Sequence, residues 1–317
     1  MTDSEFINHS NDCDREWLCD CCVANNNFKA LYNLPHYHPI KEQYEIKQPK
    51  TSIFNTAKKY HGDFISRCSD LGFSMEDTCD NNNITTQINS NYFDVQEFKN
   101  QKFNESNDFS VCHINISSLD KHIDELRLTI SRIKHKFDII GISEHKIPKD
   151  GEASNNIKLQ GYHDFIFSPT ASTHGGTGFY IKNVIDYIPR KDLEINNDTN
   201  HESSFIELKF NSKKDMIIGC IYRHPSASIS ISDFADKHIE PILNKISLEN
   251  KPCMIMGDYN INLLMTDSNN AYNNFYNTFS SNHFSPFVLQ PSRLRCKTII
   301  NNIFFNSLNH CSKVETF

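Results

Sequence analysis

Asp258 and Asn260 are the side chains that could carry hydrolytic chemistry in this sequence, because of what precedes them. They come after the apolar run Cys253-Met254-Ile255-Met256 and then Gly257. A short apolar run without polar alternation reads as a strand buried on both faces. In open α/β sheets, catalytic groups collect beyond the carboxyl ends of such strands. A carboxylate and a carboxamide two residues apart point the same way while strand geometry persists. One can then hold a water or a cation while the other donates a hydrogen bond to an anion. The same Gly-Asp-x-Asn stretch is also ordinary turn chemistry, since all three residue types favour turns. Two more oxygen-bearing side chains, Asn115 and Glu144, fall at the ends of other strand-like runs. A hard divalent cation such as Mg2+, or Mn2+ in its place, takes few protein oxygens and keeps several waters. Glu144 with Asn115 suits such an ion.

The elements that must position these groups can be read from periodicity. Residues 110–116 alternate apolar and polar and predict a strand ending at Asn115. Ser118 can cap a helix over 119–135, where Leu119, Ile123, Leu126, Ile130 and Ile133 recur at helical spacing. An apolar strand over 137–142 comes next and presents Glu144, completing a βαβ-like opening. Strands are expected over 162–167, 178–181, 205–210 and 216–222, then a helix over 232–246 that leads into the Met256 strand. A helix over 272–281 and strands near 287–289 and 299–305 close the series. The fold class this predicts is α/β, with two mixed β-sheets packed face to face and flanked by helices in a four-layer sandwich. Gly175-Gly176-Thr177-Gly178 precedes a strand rather than a helix, so it fails the context of a phosphate cradle and reads as a tight entry into that strand.

Taken together, six stretches resemble one family: His113-Ile114-Asn115-Ile116, Ile142-Ser143-Glu144-His145, Gly175 to Ile181, Tyr222-Arg223-His224-Pro225, Gly257-Asp258-Tyr259-Asn260 and Thr298 to Phe304. In that order they resemble the exonuclease–endonuclease–phosphatase fold, specifically the apurinic-type endonuclease domain of LINE-like non-LTR retrotransposons, over about residues 109–317. The resemblance implies Mg2+-dependent hydrolysis of a DNA phosphodiester, leaving a nick for target-primed reverse transcription. It makes Glu144 the metal ligand with Asn115 beside it, and Asp258 the group that orients or deprotonates the attacking water. Asn260 becomes a phosphate contact and Tyr222 a hydrogen-bond donor to a phosphate oxygen, which stabilises transition-state charge rather than abstracting a proton. Arg223 and His224 become candidate DNA-backbone contacts.

Two departures weigh against full activity. Asn301 stands where the family carries an Asp that fixes a catalytic His, and an amide brings no charge to an imidazolium. The His itself belongs to a Ser-Asp-His motif that is not found before Phe317; His283 and His310 lie outside that context. The expectation is a degenerate, strongly impaired or inactive endonuclease-like domain whose carboxy-terminal strand is missing, with an unpaired sheet edge. A non-catalytic DNA- or protein-binding module, and a phosphatase or phosphodiesterase of the same fold, are the alternatives.

The amino-terminal third has a different character. Cys19 and Cys22 have C-x-x-C spacing after Trp17, similar to the closing end of a PHD-type finger, but only His9 and Cys13 lie upstream, so residues 1–40 read as a zinc-finger remnant. Residues 41–108 lack sustained periodicity and include an Asn-rich stretch from Asn81; they read as a largely disordered linker with one short helix near 53–65. Eleven cysteines, odd in number and scattered, fit reduced thiols in an intracellular protein better than a disulfide framework. No apolar run is long enough to span a membrane, no secretion signal opens the chain, and the resemblance implies a nucleus. The formal net charge of −7 lowers the expected grip on DNA without excluding it, since local basic groups and a bound cation can serve. The sequence leaves oligomeric state open.

Overall fold

A computed structural model of the chain describes residues 109–306 except 149–154, 169, 171–174, 198, 212–213, 290 and 293–297, together with 90–92, Phe98 and 314–316. The expected zinc-finger remnant, the helix near 53–65 and His310 lie outside the described residues.

The strands form two mixed sheets. One is four-stranded, in the order β2 (Val111–Asn115), β3 (Ile139–Ser143), β5 (Thr177–Ile181), β4 (Ile166–Ser168). The other is six-stranded, in the order β10 (Ser285–Pro286), β11 (Asn301–Phe305), β9 (Cys253–Asp258), β8 (Met216–Arg223), β7 (His201–Lys209), β6 (Asp186–Pro189). Within them β2 runs parallel to β3, and β8 parallel to β9. A separate two-stranded pair joins β1 (Ser90–Tyr92) to β12 (Val314–Thr316).

Strand alternation sorts the apolar residues into three layers. Ile139, Phe179, Ile206, Ile218, Cys220, Met254 and Met256 meet between the two sheets. The outer face of the four-stranded sheet, with Ile114, Ile140, Ile142 and Tyr180, is covered by helix α1 (Leu119–Ile133) through Leu119, Ile123, Leu126 and Ile133. The outer face of the six-stranded sheet carries Phe205, Ile217, Ile221 and Ile255, and is covered by Phe234, Leu243, Ile246, Phe275 and Phe279. Those five come from helices α2 (Ile231–Phe234), α3 (Glu240–Glu249) and α4 (Asn270–Ser281). The fold is therefore the expected α/β sandwich of two mixed sheets with helices outside. Each buried Leu, Ile or Phe contributes about 1.5–3 kcal/mol by leaving water. Between the sheets Gly141 faces Met256: a Cβ on Gly141 would overlap the Met256 sulphur.

Several details differ from the sequence expectation. Ser118 makes no side-chain cap; the first amide of α1, Leu119 N–H, donates instead to the carbonyl of His145 at 3.0 Å. The helix expected over 232–246 is interrupted by a π-turn, Ala235–Ile239. Pro241 lacks an N–H and its ring clashes with the carbonyl four residues back, so a widened turn just before it is the local solution. Strand β7 begins at His201 rather than at residue 205, and edge strand β6 was not anticipated. Phe98, which the sequence places in the linker, is buried against His135 and Phe137.

Candidate active site

The end of the inter-sheet core is marked by two rows of polar residues. Across the six-stranded sheet, Glu202, Tyr222, Asp258 and Asn301 are successive register partners on β7, β8, β9 and β11. Across the four-stranded sheet, Asn115, Ser143, Thr177 and Ser168 are successive partners on β2, β3, β5 and β4. By alternation each lies on the same face as its apolar neighbours of the inner layer, such as Ile206, Cys220, Met256 and Phe179. The two rows thus face one another at one end of the sandwich, where β2, β3, β8 and β9 present their carboxyl ends.

Hydrogen bonds join the rows. The Asn115 amide nitrogen donates both to Glu144 Oε1 at 2.6 Å and to Asp258 Oδ2 at 2.8 Å. Its carbonyl oxygen accepts from Ser117 N–H at 3.2 Å, which fixes the amide's orientation. Asp258 is fully buried, and its other oxygen accepts the Asn260 N–H at 3.1 Å. Farther along, Thr177 Oγ1 meets Ser204 Oγ at 2.9 Å. One carboxamide therefore holds two carboxylates in place, and the more distant of them lies 143 positions away in sequence.

The backbone here is strained. Ser117, Glu144, Lys146 and Asn260 all adopt positive φ, between 50° and 57°. Left-handed backbone costs a non-glycine residue on the order of 1–2 kcal/mol, and such residues gather at functional sites. Asn tolerates it; Glu144 and Lys146 do so because the loop is held from both sides. Leu119 N–H binds His145 O on one side, while His145 N–H and Lys146 N–H bind Gly176 O and Gly175 O at 3.4 and 2.9 Å on the other. Within the loop the His145 Nδ1 accepts the Ile147 N–H at 2.9 Å, leaving Nε2 to donate to Ser168 O at 3.2 Å. Burial lowers the His145 pKa to about 4. The Gly175-Gly176 stretch is thus a clasp on the Glu144 loop as well as the entry to β5.

Of the residues singled out from sequence, Asn115, Glu144 and Asp258 are brought into hydrogen-bonded contact, Tyr222 and Asn301 flank Asp258 in its row, and Asn260 closes the end of β9. The Asn260 amide commits one proton to Arg223 O at 2.7 Å, leaving its second for another acceptor. Asn301 Oδ1 is buried with no hydrogen-bond partner among the described residues. His224 lies beside Tyr222, ring centroids 4.8 Å apart, and is itself buried. Arg223 is not brought to the cleft. One position along β8 from Tyr222, it turns to the opposite face, where its guanidinium sits 5.8 Å from the Phe234 ring and donates to Ile229 O at 3.1 Å. His283 occupies the left-handed turn after α4. Glu202 was missed from sequence: it is buried, its Oε2 accepts the Gly176 N–H, and the same oxygen lies 3.7 Å from His224 Nε2. The signal that could have found it is a charged residue two places before an inward-facing series, Ser204, Ile206 and Leu208.

The cleft gathers Glu144, Asp258 and Glu202; among the described residues Lys146 Nζ lies 3.8 Å from Glu144, and Lys191 Nζ donates to Ser168 Oγ at 3.4 Å. Among the described residues no group of three or more His, Cys, Asp or Glu is placed to hold a metal. A site of one or two carboxylates fits a small hard cation that retains most of its waters, and Glu144 Oε2 is not the oxygen engaged by Asn115.

No protein-family model matches the sequence, and no curated protein matches it. The chain is similar in structure to an AP endonuclease of Leishmania major (14% identity, 70% of this chain and 89% of that one, TM-score 0.46). It is also similar to the APE2 catalytic domain of Xenopus laevis (13%, 64% and 84%, TM-score 0.46). A third likeness is to an endonuclease/exonuclease/phosphatase family protein of Bacteroides thetaiotaomicron (13%, 62% and 82%, TM-score 0.44). These likenesses concern the arrangement of sheets and helices alone.

Proposed function

We propose that this cleft is a phosphodiester-hydrolysing site of endonuclease type, acting on DNA, of the retrotransposon kind that nicks a target strand, and slowed by the neutral Asn301. The observation that carries it is the Asn115 amide bridging Glu144 and Asp258 at facing strand ends. Three carboxylates around one cleft would repel a phosphate, which favours a site that works with a cation. Glu144, with Asn115 beside it, would hold Mg2+ or Mn2+; when bound, the ion offsets charge on the phosphate and on the departing oxygen. Asp258, oriented by Asn115 and Asn260, accepts the proton of the attacking water. Tyr222 and the second proton of the Asn260 amide donate to phosphate oxygens as charge develops there. Asn301 supplies no charge to pair with an imidazolium, and loss of one such stabiliser costs about a hundred- to a thousandfold in rate.

The test is conversion of supercoiled to open-circular plasmid at high protein concentration with Mg2+. Slow conversion is expected, lost in Glu144→Ala and in Asp258→Ala. Conversion that survives both substitutions would sink the assignment. Asn301 also favours a second reading, DNA binding without cleavage; fluorescence anisotropy with labelled duplex, positive in the absence of any nicking, selects it.

A further inference from the structure

We propose that Glu202 is a positioning residue for this cleft, holding the Glu144 loop through the Gly175-Gly176 clasp, a role that rests on the phosphodiester-hydrolysing function proposed for the site. Glu202 is the fourth member of the row Glu202–Tyr222–Asp258–Asn301, on the strand next to Tyr222. A carboxylate there is costly to bury unless it is engaged, and its Oε2 has two neighbours. It accepts the Gly176 N–H, and it lies 3.7 Å from His224 Nε2, whose ring packs edge-on against Tyr222. Gly176 and Gly175 pass the restraint on, because their carbonyls receive the amides of His145 and Lys146, the two residues after Glu144. Both glycines have φ near 90°, and neither has room for a side chain: a Cβ on Gly175 would overlap Glu202 Oε2, and one on Gly176 the His145 ring. Glu202 thus touches both halves of the cleft, the Glu144 loop through the clasp and Tyr222 through His224. Its Oε1, like His224 Nε2, is buried without a hydrogen bond among the described residues, so its contribution lies in the one oxygen that accepts the Gly176 N–H.

The experiment uses the full chain with Glu202→Ala, Glu202→Gln and Glu202→Asp, and reads two quantities. One is amide hydrogen exchange at His145, Lys146 and Gly176; the other is Mn2+ affinity by electron paramagnetic resonance. Glu202→Ala removes the acceptor for Gly176, so exchange at these three amides rises while the amides of β9 stay protected. Mn2+ affinity falls about 10–100-fold, the range for loss of an outer partner of a ligand. Glu202→Gln keeps an oxygen that can accept the Gly176 N–H, so it retains most of the protection and affinity. Glu202→Asp keeps the charge beside His224 and withdraws the carboxylate by one methylene; it gives the exchange test in a chain that folds even where alanine does not, and exchange rises there too. Unchanged exchange at the three amides in Glu202→Ala or Glu202→Asp overturns the proposal, as does raised exchange with unchanged Mn2+ affinity. Absence of Mn2+ binding by the unmodified chain overturns the reading of the cleft and this role with it; the exchange data tell that failure apart from failure of the clasp.

Discussion

Asn301 is the residue at which chemistry and stability can be told apart. It pairs in register with Asp258, which has no exposure, and its own Oδ1 is buried without a partner among the described residues. Asn301→Asp restores a carboxylate but sets it beside another buried one. Two carboxylates sharing a site raise the pKa of at least one of them. A carboxyl whose folded pKa is raised above its unfolded value destabilises the fold at neutral pH, and the penalty is relieved as pH falls through the folded value. The expected outcome is a lower urea midpoint at neutral pH, the gap to the unmodified chain narrowing in mild acid. A midpoint equal to that of the unmodified chain at neutral pH would show that the position tolerates charge. The residues of the cleft that close a strand run, Asn115, Glu144, Asp258 and Asn260, were legible in sequence because each follows a strand-like run, alternating before Asn115 and continuously apolar before the others. Glu202 was not, because His201-Glu202-Ser203-Ser204 is polar throughout and reads as loop; those residues are the end of β7 at which Glu202 and Ser204 face inward. Arg223 shows the opposite failing. Adjacent to Tyr222 in sequence, it is carried to the other face by the pleat.

At the scale of elements, Asn269 and Ser118, at the N-cap positions of α4 and α1, separate what sequence can show from what only packing decides. Asn269 receives the N–H groups of Ala271 and Tyr272 at 3.0 and 3.3 Å, satisfying two free donors of α4. Ser118 stands at the same position of α1 and makes no such bond; at that end the first amide, Leu119 N–H, is taken by the His145 carbonyl. Asn269→Ala should therefore cost about 1 kcal/mol in urea denaturation, the usual worth of an N-cap, whereas Ser118→Ala should cost far less. Equal losses would mean that the Ser118 hydroxyl caps α1 in solution. Element order and helix positions were legible from periodicity, since α1 and α4 keep their apolar faces at helical spacing. The π-turn before Pro241 and the edge strand Asp186–Pro189 were not, since one depends on a single proline's sterics and the other on pairing with β7.

At the scale of the whole molecule, the fold encloses imidazoles that it keeps neutral, and this sets its response to acid. Burial lowers the pKa of His113 to about 3. It lowers those of His145 and His201 to about 4. Nearby His238, Arg223 and His224 lower that of His201 further, while Glu202 opposes the shift for both His145 and His201. In the unfolded chain each titrates near about 6.5. Above that value neither state binds the proton, and stability does not depend on these groups. As pH falls below it, the unfolded chain takes up protons that the folded chain refuses, so stability drops by about 1.4 kcal/mol per pH unit for each histidine until the folded pKa is reached. Three acting together give a slope of about 4 kcal/mol per unit, enough to exhaust a typical stability of about 5–15 kcal/mol within a few units. The ion pairs at the far edge do not compete in this window. Arg190 holds Glu249 down to about 2; for a carboxyl with a lowered folded pKa, stability is present above its unfolded value near about 4.3 and is lost only below it. Acid unfolding should therefore begin between about pH 6.5 and 4.5, through histidine rather than carboxylate protonation. The measurement is the urea midpoint across that range, with His113→Met expected to flatten its pH slope by about a third. A midpoint that stays constant from about pH 7 to 5 would show that these imidazoles are reached by water and protonate without unfolding the chain.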